Sequence, residues 1–161
     1  MAANSLWQQL FDAVKVRFQN IHTANGYETD IGTQAYTWRD LSKAPFSEDE
    51  APCFMIRDPR RETTVETVIT GHDHRLTIEV FAVATATGSS PPDNFARRML
   101  SDLDKAIGVD RQWTVGGVKL ARETLPGEDV LEAVHAGDRL IAVRKTFTIN
   151  FRTRAFNPYT Q

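Results

Sequence analysis

A single cysteine, Cys53, stands among 161 residues. An internal disulfide is therefore excluded, and a reducing compartment is the expectation. Long apolar runs are missing too. Nothing approaches the ~20 residues that cross a bilayer, and the first twenty positions carry Gln, Asp and Lys where a secretory signal needs an apolar stretch. Nor does charge of one sign dominate: 19 basic against 21 acidic residues leave a formal net charge of −2. That excludes the uniformly positive surface of a general nucleic-acid binder. The expectation is a soluble protein that folds in a cytoplasm and has no membrane partner. A hydrophobic share of 41% with 25% charged residues excludes a wholly disordered or collagen-like chain. The length suits one domain over 1–161, which buries roughly 70% of its unfolded surface.

Two helices are legible. Over residues 5–21, Leu6, Leu10, Phe11, Val14, Phe18 and Ile21 recur at three- and four-residue steps, with Ser5 placed to cap the start. Asn25-Gly26 ends the pattern. Ser89-Ser90-Pro91-Pro92-Asp93 announces the second helix, whose stripe is Phe95, Met99, Leu100, Leu103, Ala106 and Ile107. Arg97, Arg98, Asp102 and Lys105 are assigned to its outer side, and Gly108 stops it.

The remainder reads as strand. Thr63–Thr70 and Arg75–Thr85 are predicted to form a long hairpin around a polar turn at 71–74. Arg139–Thr153 alternates Ile141, Val143, Phe147, Ile149 and Phe151 with Arg144, Thr146, Thr148, Asn150 and Arg152, the mark of a sheet with one dry face. Weaker strands are expected at Asp30–Trp38, Cys53–Arg57 and Thr114–Arg122. Together these predict an α+β fold, a mostly antiparallel sheet with two helices packed on one face. Two irregular segments remain: a loop at about 40–52 and an extended C-terminal tail at about 153–161. Both are expected to order on docking.

Chemical motifs are scarce. His72 and His74 flank Asp73 and could offer two imidazoles to a metal, but two histidines do not fill a tetrahedral shell. Cys53 sits beside Phe54, Met55 and Ile56, which suits a core position better than a nucleophile. Gly116-Gly117 lies between strand-like segments and so lacks the helix N-terminus of a phosphate loop. Arg57-Asp58-Pro59-Arg60-Arg61 reads as a solvated turn, and Asp129, Glu132 and Asp138 show no paired spacing for acid–base work. No catalytic residue, metal site or cofactor is expected. Interest moves to aromatic residues outside the stripes. Trp38 and Trp113 are read as strand packing, whereas for Phe156 and Tyr159 in the tail contact with another subunit stands beside core burial as the expectation.

Several segments, in order, resemble a known family. An amphipathic N-terminal helix is followed by NGYETDIGTQAYTWR at 25–39, the PPDNFARRMLSDLDKAIG helix at 91–108, and a final strand RLIAVRKTFTINFRT. This layout resembles the tail terminator, or tail completion, proteins of long-tailed bacteriophages, the group that includes the lambda minor tail protein U. The resemblance implies a non-enzymatic virion protein that forms a homohexameric ring on the tail tube. Such a ring ends tube polymerisation and presents a surface to the head–tail connector. It also implies a place at the head-proximal end of the tail, reached from the host cytoplasm during assembly. Partners would be the chain itself, the tube protein and the connector, without specific nucleic-acid binding. Within that role, Glu48, Asp49 and Glu50 on one side and Arg152 and Arg154 on the other are candidate complementary contacts, joined by Phe156 and Tyr159. A head–tail connector or adaptor protein is the nearest alternative. A small metal-dependent enzyme built on His72 and His74 is a more distant one.

Overall fold

A computed structural model of the chain describes residues 4–64, 71–85, 91–132, 139–154 and 157–159. Helix α1, Leu6–Gln19, begins where the Gln8 N–H donates to the Ser5 hydroxyl at 3.2 Å, as its cap requires. Leu6, Leu10, Val14 and Phe18 are buried along it, and Ile21 joins them just past its end. Strand β1, Gln34–Thr37, follows a short 3-10 turn at Ile31–Thr33. Next come β2, Cys53–Thr64, and β3, His72–Thr85. Helix α2 spans Pro92–Gly108. A small hairpin of β4, Thr114–Val115, and β5, Val118–Lys119, precedes β6, Glu123–Glu132, and β7, Leu140–Thr153.

The main sheet has the order β1-β2-β3-β7-β6. Its pairs are antiparallel except β1 with β2, which is parallel. Both helices lie on one face, where Phe54, Ile56, Ile78, Val80, Val143 and Phe147 meet the helix stripes in a single core. Phe18 anchors that contact, edge-on to Phe54 at 5.9 Å and to Phe147 at 6.0 Å. The other face carries an ion network, with Glu79 between Arg57 and Arg144 and Arg144 reaching Glu132 at 3.2 Å. An α+β architecture with a mostly antiparallel sheet is thus the observed one. No helix among the described residues is long and apolar enough to cross a membrane.

Several sequence expectations are corrected. The Arg57–Arg61 charge run is not a turn. It lies inside β2, which continues through Pro59 by a register shift between Arg57 and Arg60, the kind of bulge that tolerates proline at an exposed edge. The polar turn expected at 71–74 also falls mostly within a strand, because His72, Asp73 and His74 open β3; residues 65–70 lie outside the described residues. Of Asp30–Trp38 only Gln34–Thr37 is strand. Thr114–Arg122 divides into the β4–β5 hairpin, whose Gly116-Gly117 tip has φ of 56° and 82°, the two positive angles a tight hairpin turn needs. Strand β6 was not anticipated. Ser89 and Ser90 of the string that announces α2 lie outside the described residues.

Asp102 is the sharpest correction. It faces inward, 2% exposed, and accepts hydrogen bonds from the Glu28 N–H, the Thr29 N–H at 2.8 Å and the Thr29 hydroxyl at 2.6 Å. Position 102 is three residues beyond Met99 and four before Ala106, so helical spacing puts it on the stripe whatever its polarity.

Candidate assembly surfaces

The segment Asn25–Thr33 is held from several sides. Besides Asp102, Lys105 Nζ donates to the Gly26 carbonyl and stands 4.8 Å from the Tyr27 ring centre. Asp30 accepts from the Thr23 N–H at 2.8 Å, which holds its carboxyl below the ordinary range. Gly32 passes so close to the end of α1 that a Cβ there would stand 2.7–2.8 Å from the carbonyl oxygens of Phe18, Gln19 and Ile21. The string is therefore a joint between α1, α2 and β1.

Just past β1, Trp38 adopts a left-handed φ of 51° and is 61% exposed. Such a backbone in a bulky residue costs on the order of 1–3 kcal/mol and persists because its surroundings hold it. Here the indole N–H donates to Asp58 at 3.0 Å. Strand packing, the expectation for Trp38, is overturned. Between it and α1 lies a groove of about 600 Å³ walled by Trp7, Phe11, Thr37 and Trp38. The Arg61 guanidinium lies 4.4 Å from the Trp7 ring centre at this same edge. Trp7 was missed in the sequence because it is neither on the stripe nor clearly opposite it.

Trp113 behaves in the opposite way. It too has a positive φ, 52°, but is fully buried. Its indole N–H donates to Thr124 at 2.8 Å, the Arg17 guanidinium lies 3.9 Å from its ring centre, and the Phe147 ring stacks with it at 6.1 Å. It is a core residue, although not a strand one.

The acidic loop is built around Arg39. Ser47 and Glu50 form a reciprocal capping box on the short turn Glu48–Glu50, and Arg39 pairs with Glu50. The hydrogen bond from Arg39, helped by the Ser47 N–H, holds the Glu50 carboxyl down to about 2. Of the three proposed acidic contacts, Glu48 and Asp49 face solvent while Glu50 turns inward to Arg39. On the other side, Arg152 lies half-buried, 4.0 Å from Asp73. Arg154 is exposed and bridges to Asn157. Tyr159 is 53% exposed, and the tail returns to α1 where the Leu6 N–H donates to the Pro158 carbonyl at 2.8 Å. Phe156 lies outside the described residues, as does Asp138.

At the far edge, β6 exposes Leu131 (48%) among Glu128, Asp129 and Glu132. Asp129 binds the buried Lys145 at 2.6 Å, and Asp104 of α2 binds the same ammonium at 2.8 Å. A third surface is apolar: Val16, Val109, Val115 and Val118 are all more than half exposed. The first three border a groove of about 540 Å³ between α1, the end of α2 and the β4–β5 hairpin.

The residues weighed for chemistry are occupied structurally. His74 is clamped between the Thr63 and Thr153 hydroxyls and stacked on Phe151 at 4.8 Å; burial, with Arg61 and His72 nearby, pushes its pKa down. Cys53 is fully buried, and burial pushes its thiol up to about 12, far from a reactive thiolate at neutral pH. Among the described residues, no group of three or more His, Cys, Asp or Glu is placed to hold a metal ion. Comparison with protein-family models and with curated proteins gave no match to this sequence.

Proposed function

We propose that the protein is a structural subunit of a long-tailed phage particle, a ring-forming cap that ends growth of the tail tube and receives the head connector. One observation carries this reading: the open sheet ends in two unlike edges, the aromatic groove beside β1 and the acidic, leucine-bearing β6. A closed ring of identical subunits needs two dissimilar surfaces that match head to tail, whereas a two-fold dimer needs one self-complementary surface. The exposed valine surface at the α1–hairpin end then remains for contact along the tube axis.

The segments that carry the family resemblance support this at the level of scaffold. NGYETDIG and the 91–108 helix touch through Asp102 and Lys105, so the resemblance concerns how the two helices are braced on the sheet. Termination follows from shape. A cap whose lower face fits the tube and whose upper face does not repeat it leaves the next tube subunit nowhere to add. Deleting the gene from its phage is expected to yield tails of irregular length that fail to join heads. Normal infectious particles from the deletion would overturn the proposal.

A further inference from the structure

We infer that copies of this chain join through opposite sheet edges, with the Leu131 end of β6 from one copy seated in the Trp7–Trp38 groove of the next. This rests on the ring reading and names the surfaces that would close it. Neither edge is suited to continuous backbone pairing. β1 has four residues, and the outer part of β2 carries Pro59 and a register shift. β6 is likewise broken between Pro126 and Asp129. Such features block open-ended strand addition, so side chains must make the contact.

The side chains are disposed for it. Leu131 pairs in register with Val143, a core residue, and so points to the helix-bearing face. The groove lies on that same side, between α1 and Thr37. Placing two copies side by side with their helix layers aligned brings Leu131 to the groove. Charges agree as well. β6 contains Glu123, Glu128, Asp129 and Glu132 and no basic residue. Arg61, over the Trp7 ring at the groove edge, has no carboxylate partner among the described residues, and the one acid that lines the groove, Asp58, is engaged by the Trp38 indole N–H. Trp38, already fixed by its backbone and by Asp58, loses little freedom on contact, which suits an anchoring aromatic.

The test uses engineered cysteines, with Cys53 left in place because it is buried and its thiol is held at about 12. Gln8→Cys lies in the groove wall and Leu131→Cys on the opposite edge. Under mild oxidation the double variant should give a ladder of linked copies, an equimolar mixture of the single variants should stop at dimers, and each single variant alone should stay unlinked. Adding Trp38→Ala should slow linking about tenfold or more, with the circular dichroism spectrum unchanged because the residue is exposed. The mass of the unmodified chain is measured alongside. Efficient linking of Leu131→Cys to itself overturns the inference, as does a missing ladder while the unmodified chain forms assemblies; in those cases the ring reading survives. A chain that stays monomeric at the highest soluble concentration also overturns the inference, and the ring reading then stands or falls with the deletion phenotype.

Discussion

Single positions show how far polarity misleads when it is read without position. Asp102 and Lys145 both lie on the dry side of their elements, one on a helical stripe and the other in step with Val143 and Phe147. Alternation in 139–153 leaves a gap at Lys145, and that gap was the visible signal of a buried cation. Its partners, Asp104 and Asp129, come from α2 and β6, so no local pattern could supply them. Trp38 and Trp113 looked equivalent in the sequence. Their fates diverge because Trp113 finds Thr124, Arg17 and Phe147 around it, whereas Trp38 has Asp58 and an open groove. The joint at Asp102 is the position most sensitive to change. Asp102→Ala strands three donors, two of them on Thr29, which is itself buried, and should cost about 3 kcal/mol in urea unfolding. Asp102→Asn keeps one acceptor oxygen and should cost roughly half as much; an unchanged midpoint in both variants would contradict the bracing role.

Among elements, the helices and β7 were legible because each buries a long face and so imposes its period on the sequence. Edge strands impose little. β6 alternates weakly, carries Leu125-Pro126-Gly127 and leaves most side chains in solvent, which is why no strand was anticipated there. β2 was divided in two because its bulge at Arg57–Arg60 interrupts the alternation. The acidic segment 40–52 was expected to order only on docking, yet it carries its own ties through Arg39 and Glu50. Those ties predict a titration in the free subunit. The Glu50 carboxyl should titrate near 2 rather than near its usual 4.5, and Arg39→Ala should return it upward. Because the folded value is depressed, the stabilisation is complete above about 4.5 and fades as pH falls toward 2. Carboxyl NMR resonances read this directly; an ordinary value in the free chain would mean that the loop is not built until it docks.

For the whole molecule, the sequence supplied an α+β class and a family resemblance, whereas the arrangement of surfaces came from the fold. Exposed apolar groups fall in distinct places: Trp38 at one sheet edge, Leu131 at the other, four valines around the α1–hairpin end, and Tyr159 where the tail returns to α1. Scattered exposed apolar residues are ordinary on a globule; on the ring reading proposed above, Trp38 and Leu131 would face lateral neighbours and the valines an axial one. Direct imaging of assembled phage particles carrying a small density tag on this chain decides the matter. The account predicts a closed ring of tagged copies at the tail end that meets the head. Tag density along the tube, at the distal tip, inside the head, or nowhere on the particle would contradict it.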